Sequence, residues 1–526
     1  MYPPLTEPRA RRKKKSIGRI IFLLFIVLLI LASGIVYFFF RYLAPNKQHV
    51  ATDFHDLSKP VFYQGKYFKT SAIGEKDAIK LPLELIQEWI DPTIVFEKSS
   101  DSVIITTKDK VLRFKTSELS AFMNEKPYTL SFPVEKKDQE IYVPIDPLQE
   151  LYHIEIRESD ASGAVMLFKQ GDHVQWGKMN AQDKTQLRTG ASVKMPIVSE
   201  AAPDEQVIIL GEENGWLQVQ QKTGPIGYVK KGAVTLDHEE TIPVQKGEEA
   251  QFAPKPPEGK LNVTWEHVIS KNPDTSKISD MPGLNVISPT WFSLANDTGK
   301  VSNSADSAYV KWAHARNYQV WALFSNGFEP DRTSKALSTY DLRMKMIKQL
   351  LGFAKTYDLQ GFNIDFENVY VKDKENLVQF VREMTPLMHE QGLAVSIDVT
   401  PKSSNEMWSV FYDRPALGEV VDYMMLMAYD EYWATSPKSG SVSSLPWAEK
   451  SLVQLLDVEK VPSSKVVLGM PFYTRQWTEQ TKNGKTVVRS KTLSMEQAQS
   501  IIKEKKADTC LFAGCGAELC GIQRWG

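Results

Sequence analysis

Gly361-Phe362-Asn363-Ile364-Asp365-Phe366-Glu367 alternates apolar and polar side chains. At a period of two, Phe362, Ile364 and Phe366 share one face of a strand, and Asn363, Asp365 and Glu367 share the other. Two carboxylates at i and i+2 cannot both ionise easily once buried. One is expected to hold its proton and serve as a general acid beside a charged partner. An exposed edge strand with a solvated polar face is the alternative, and the strand's place in a longer series argues against it.

That series extends to both sides. Strand-like apolar runs occur at 261–268, 284–292, 318–325, 361–366, 393–400, 421–428 and 466–473. Several are separated by amphipathic helices. Ser338-Thr339-Tyr340-Asp341 reads as a capping-box start, followed at helical spacing by Leu342, Met346, Leu350 and Phe353. A second helix carries Leu377, Val381, Met384 and Met388 and stops at Gly392. Continuous apolar strands followed by helices predict a parallel sheet buried on both faces. Seven such units in series predict a (β/α)8-type TIM barrel over 261–526, with its active site at the strands' C-terminal ends.

The fourth strand resembles that of family 18 glycoside hydrolases, the chitinase-like group, whose signature is D-G-x-D-x-D-x-E. Here the stretch reads Gln360-Gly361-Phe362-Asn363-Ile364-Asp365-Phe366-Glu367. The resemblance makes Glu367 the general acid and Asp365 the group that orients the substrate's N-acetyl substituent. Gln360 and Asn363 depart from the signature. Asn363 is a candidate substrate contact that can hydrogen-bond Asp365 but cannot share its charge. The N-I-D-F-E-N form is most similar to the spore cortex and cell-wall branch of the family. Met427-Ala428-Tyr429-Asp430 looks like the family's M-x-Y-D motif. It implies that Tyr429 bonds the acetamide oxygen and that Asp430 holds the sugar. Met424, Met425 and Met427 read as core filling. Gly469-Met470-Pro471-Phe472-Tyr473 looks like the seventh strand, with Tyr473 at its sugar-facing end. Trp291 and Trp433 follow the second and sixth strands, where rings either stack on pyranose faces or pack within loops.

The resemblance covers 261–506 and implies substrate-assisted retaining hydrolysis of an N-acetylated glycan, one of the exceptions to the two-carboxylate scheme. It calls for neither cofactor nor metal. The rival reading is a non-catalytic, glycan-binding scaffold of the cell wall. Retention of both Asp365 and Glu367 favours the enzyme, because a lectin needs no buried acid there.

Toward the N-terminus, residues 237–260 are charged, lack a period and close with Pro254, Pro256, Pro257 and Gly259, which reads as a semi-rigid linker. Residues 175–236 show short strands between Gly-bounded turns, including Gly215-Trp216-Leu217-Gln218-Val219 and Gly227-Tyr228-Val229. This resembles a bacterial SH3-type barrel and implies binding of wall polymer or peptide. Trp216 and Tyr228 either serve that binding or fill the small core, and for Trp216 core filling is expected. Residues 58–172 read as an α+β module, with helical patches at 81–90 and 148–152. It is similar to the N-terminal domain of copper amine oxidases but implies no copper, because no His, Cys or carboxylate cluster stands at ligand spacing.

Ile20–Phe40 is an uncharged apolar run of 21 residues, roughly 32 Å as a helix and so long enough to span a bilayer core. It ends in Tyr37-Phe38-Phe39-Phe40-Arg41-Tyr42, an aromatic interface belt. Residues 1–19 hold seven Arg or Lys against Glu7 alone. Positive-inside logic puts this tail in the cytoplasm and the bulk of the chain outside a cell membrane crossed once. With a net charge of -1 overall, about -7 remains on the rest of the chain, which disfavours a nucleic-acid partner. All three cysteines (Cys510, Cys515, Cys520) lie near the end, so neither a zinc cluster nor a disulfide framework shapes the main fold. Met495–Lys506 reads as a helix. The resemblance then calls for an insert, an eighth strand ending in a Trp, and a last helix. None is recognisable in 507–526, so the barrel is expected to be incomplete, with a truncation or frameshift near residue 507; the alternative is a divergent tail that packs locally.

Overall fold

A computed structural model describes residues 17–180, 182–244, 254–482, 485–506, 508–511 and 518–521. They fall into two compact units. One comprises the chain up to Ile90 together with Lys136–Gln245; the other comprises Asp91–Glu135 and the chain from Lys246 onward.

The first unit opens with the apolar helix Ile17–Phe38, and Gly18–Leu43 is long and apolar enough to cross a membrane. Its apolar side chains are exposed along its length. The basic tail up to Ser16 lies outside the described residues. Farther along, seven strands pair in one sheet, from His173–Met179 through Val234–Thr241. The last of these pairs antiparallel with the first and takes up the start of the expected linker; residues 245–253 lie outside the described set.

The core of this sheet is Met179, Leu187, Ala201, Val207, Leu217, Val219, Val229 and Val234. Trp216 and Tyr228 are not in it: both are half-buried. The alternation of Trp216–Gln221 sends Leu217 and Val219 inward and turns Trp216 to the other face. Gly227 is required by close approach, because a Cβ there would lie 2.8 Å from that of Leu187.

In the second unit, Val95–Glu97, Ser102–Thr106, Val111–Lys115, Ser120–Met123 and Lys126–Thr129 form a five-stranded antiparallel meander. The larger part of the unit is a parallel sheet of seven consecutive strands: β1 (Val263–Glu266), β2 (Val286–Pro289), β3 (Gln319–Ser325), β4 (Gly361–Asp365), β5 (Ala394–Val399), β6 (Tyr423–Met427) and β7 (Val466–Gly469). The short pair Phe292–Leu294 and Val301–Asn303 joins beside β3. The helices between strands include α1 (Tyr340–Tyr357) and α2 (Lys374–His389). The N-cap of α1 is Thr339 rather than Ser338; its hydroxyl accepts the Leu342 N–H at 3.3 Å.

The sheet is buried on both faces, as parallel sheets are. Phe362, Ile364, Val395, Ile397, Met424 and Leu426 share one cluster with Met346, Ile347 and Leu350 of α1 and with Leu377, Phe380 and Met384 of α2. Ile104 and Val111 of the meander belong to the same cluster. Glu97 of the meander accepts the Tyr340 N–H at 2.6 Å and the Arg343 guanidinium at 3.3 Å, while Arg343 also forms a buried bidentate pair with Glu383. On the opposite face, Val286, Trp321, Ala394 and Met425 gather Trp265, Tyr423 and Val467 around them.

Among the described residues no ladder joins β1 to β7. The strand expected at 466–473 stops at Gly469. Tyr473 instead opens a long antiparallel hairpin, Tyr473–Lys482 with Lys485–Ser494. Pro471 explains the break, since it has no N–H to give a ladder. The helix Met495–Lys505 follows, with a complete capping box between Ser494 and Gln497. Beyond it, Asp508–Leu511 pairs with Glu518–Gly521; the expectations placed on the rest of 507–526 lie outside the described residues.

Candidate active site

Strand β4 behaves as its alternation requires. Phe362, Ile364 and Phe366 are fully buried against the helices, and Phe366 stacks on Phe380 at 5.8 Å. Asn363, Asp365 and Glu367 take the other face; Asn363 is fully buried and the two acids are half-buried. Gly361 permits the strand to pass under Trp321, since a Cβ there would lie 2.9 Å from the indole.

The end of the strand is held from both sides. Asn326, fully buried just after β3, accepts the Glu367 N–H at 3.1 Å and donates to the Glu367 carbonyl at 2.7 Å. The buried Tyr412 hydroxyl donates to the Phe366 carbonyl at 2.8 Å. These bonds fix the backbone that carries Glu367 and leave its carboxyl group free to face the site.

Asn363 does not bond Asp365. Its amide donates to Asp398 Oδ2 of β5 at 2.6 Å, and its carbonyl accepts the Ser396 hydroxyl at 2.7 Å. Fully enclosed, it has no surface for a substrate, so its candidacy as a sugar contact falls.

Burial pushes the Asp365 carboxyl above the usual carboxylate range. Burial, then the neighbouring Asp365 and Asp430, push Glu367 up to about 8. Asp398 is raised as well, by burial first and then by Asp365, against opposition from Asn363 and the nearby Trp265 indole. The three acids therefore share too little solvation to ionise together.

Tyr429, just beyond β6, lies edge-on to Trp265 and to Tyr473, each with ring centres 6.3 Å away. Burial and the charges of Asp398, Asp365 and Glu367 raise its hydroxyl, which stays a neutral donor. Asp430 is exposed at φ 61°, a left-handed conformation unusual for a residue with a side chain. One of its oxygens accepts from Tyr473 Oη at 2.8 Å and from Arg475 Nη2 at 2.7 Å. Glu367, Asp365, Tyr429, Asp430 and Tyr473 thus form one connected cluster.

The two tryptophans part company. Trp433 is 51% exposed and its indole donates to Thr435. Trp291 is 1% exposed, donates to Asn272 Oδ1 at 2.6 Å and packs edge-on against Tyr309; a ring with no free face cannot stack on a sugar. Sequence reasoning passed over Asn326, Tyr412, Trp265 and Asp398. Only Asp398 carried a local signal: Ser396-Ile397-Asp398 repeats the polar alternation of β4 one strand away.

Residues 267–516 match the family model of glycosyl hydrolases family 18. The chain carries a family 18 glycosyl hydrolase domain. Ahead of this domain, residues 183–235 match the bacterial SH3 domain and residues 62–167 the copper amine oxidase N-terminal domain. The family 18 domain is similar to an uncharacterized glycosylase, YvbX, of Bacillus subtilis (strain 168), at 28% identity over 43% of this chain and 65% of the relative. It is also similar to the cortical fragment-lytic enzyme of the same organism, at 28% identity over 35% and 42% of the two chains. The chain thus spans less than two thirds of each of these relatives. A solved chitinase from Chromobacterium violaceum ATCC 12472 overlaps 45% of this chain and 74% of its own at 22% identity, with a TM-score of 0.40.

Proposed function

We propose that the family 18 domain hydrolyses a glycan bearing N-acetylated sugars, with retention, and that the substrate's own acetamide is the nucleophile. The carrying observation is a half-buried Glu367 whose surroundings keep it protonated near neutral pH, beside Asp365 and the neutral Tyr429 hydroxyl. Glu367 gives its proton to the glycosidic oxygen as the C1–O bond breaks. The acetamide oxygen closes on C1 and forms an oxazolinium, whose N–H is held by the Asp365 carboxylate and whose oxygen is steadied by Tyr429. The Glu367 carboxylate then takes a proton from water, which opens the oxazolinium at C1 and regenerates both the acetamide and the acid.

In this reading the seven parallel strands are the wall of a TIM-type barrel with the site at their C-terminal ends. Trp265 of β1, which rests against Gly469 of β7, supports that closure. Asp430, Tyr473 and Trp433 bind the flanking sugars. Residues 20–40 of the apolar helix cross the cell membrane once, with residues 1–19 inside. The domain order is tail 1–19, span 20–40, accessory module 58–172, SH3-like barrel 175–236, linker 237–260 and hydrolase 261–526. The SH3-like module holds wall polymer or peptide, so the substrate is a cell-wall glycan, a class that the cortical fragment-lytic relative supports.

The test is release of reducing ends from peptidoglycan and from chitin by the purified chain and by Glu367→Gln. Cleavage by the wild type and its loss in the folded variant are expected. Binding without cleavage by the wild type would instead identify a glycan-binding scaffold.

A further inference from the structure

Asp398 has no role in the scheme above, yet it occupies one of the most protected positions in the sheet, at 1% exposure. In the ladder of β4 and β5, Asn363 pairs with Ser396 and Ile364 with Ile397. Continuing that register by one step sets Asp365 beside Asp398, on the same face of strands about 4.8 Å apart. The Ser396 hydroxyl donates to the Asn363 carbonyl oxygen, which obliges the Asn363 amide to point its N–H at Asp398 Oδ2. The other oxygen, Asp398 Oδ1, is buried without a partner at hydrogen-bond distance, and so are Asp365 Oδ1 and the Trp265 indole N–H near Asp398, which opposes the rise of that acid only in part. A buried carboxylate oxygen with no donor is costly as an anion and cheap as a protonated hydroxyl.

We propose that Asp398 is a positioning residue for the reaction: it and Asp365 hold one proton in common, and Asp398 Oδ1 is where that proton rests while Asp365 is charged. The proposal rests on the reading of Glu367 as proton donor. Before reaction, one carboxyl of the pair is neutral and the other is an anion. As positive charge develops on the oxazolinium, the proton moves to Asp398 and Asp365 faces the ligand's N–H as a carboxylate. When water opens the ring, the proton is free to return. No proton leaves the pair, so the step balances without an external acid or base.

Asn363 cannot take this part, since an amide neither gains nor loses a proton near neutral pH. The second acid of the family's fourth-strand pattern is absent from β4 here and is supplied instead by β5. The groups facing the pair are Trp265 from β1, Asn363 and Glu367 from β4, Ser396 from β5, Tyr429 after β6 and the buried Tyr412 hydroxyl. None is a cation, so a shared proton is the means of neutralisation that these groups leave open.

Full-length Asp398→Asn, Asn363→Asp/Asp398→Asn and Glu367→Gln are compared on an N-acetylglucosamine oligomer across pH. Asp398→Asn keeps an acceptor for Asn363 and should fold. Its kcat is expected to fall about 100-fold, with KM within about threefold. The acid limb of its profile should move at least about one pH unit lower, because Asp365 no longer faces a second acid. The double variant returns a carboxyl group to β4 and should regain at least about tenfold in kcat over Asp398→Asn. Asp398→Asn with wild-type kcat and pH profile, while Glu367→Gln is dead, overturns this proposal and leaves the assignment of Glu367 intact. Full activity in Glu367→Gln removes that assignment, and this proposal with it. Should Asp398→Asn not fold, infrared titration of wild-type protein with 13C-labelled aspartate decides. A protonated aspartate persisting above about pH 6 supports the pair, and complete ionisation by that pH overturns it.

Discussion

Asn326 closes both backbone polar groups of Glu367 with one side chain, taking its N–H at 3.1 Å and giving to its carbonyl at 2.7 Å. The end of β3 thereby sets the direction of the acid on β4. Asn326→Ala would leave two buried backbone groups unpaired, and a loss of about 1–3 kcal/mol in stability is expected. A fall of about 10–100-fold in kcat, larger than the change in KM, should accompany it, because a small misplacement of the donor weakens proton transfer. Denaturant melts and steady-state kinetics on the same preparation check both.

The raised Glu367 gives two pH dependences. Activity should fall about tenfold per unit as pH rises past about 8, where the acid loses the proton it must donate. Stability should fall in the same direction. The folded chain holds a proton that the unfolded chain releases near its usual carboxylate value, so the favourable contribution is complete below about pH 4.3 and is lost as pH rises toward 8. Glu367→Gln removes this group's part of the slope. Chemical denaturation of both proteins at several pH values measures it.

Tyr429→Phe keeps the ring packed between Trp265 and Tyr473 and removes only the hydroxyl. An unchanged Tm with kcat lower by about 100-fold is expected, the cost of one donor aimed at developing charge. A fall in Tm with kcat intact would assign the tyrosine to packing.

The two tryptophans offer a paired test. Trp433→Ala should raise KM several-fold and leave Tm within about 2 °C, because a half-exposed ring contributes little to folding. Trp291→Ala should cost about 3–5 kcal/mol in stability, as a large buried side chain does. Thermal melts beside kinetics on a soluble oligosaccharide separate the roles.

What was legible in the chain followed from periodicity. The alternation of 361–367 placed the acids on one face, and the series of apolar runs gave all seven parallel strands to within a few residues. These signals are local, and burial on both faces enforces them. Features decided by distant partners were not legible. Whether Asn363 meets Asp365 or Asp398 depends on the register of β4 against β5. Trp291 follows a strand as Trp433 does, yet Asn272 and Tyr309 enclose it. Tyr473 reads as the end of a strand until Pro471 is given its weight. Asp398 was within reach, since Ser396 and Asp398 alternate as Asn363 and Asp365 do, but a lone acid in an apolar run has no partner until the neighbouring strand is placed.

The claim on which the rest depends is that Glu367 protonates the leaving oxygen while the substrate's acetamide attacks C1. Proton NMR of the first product released from an N-acetylglucosamine oligomer, run beside the de-N-acetylated oligomer, tests it most directly. Initial formation of the β-anomer from the acetylated chain, with no cleavage of the other, is the expected result. An initial α-anomer, or equal cleavage of both chains, would contradict it.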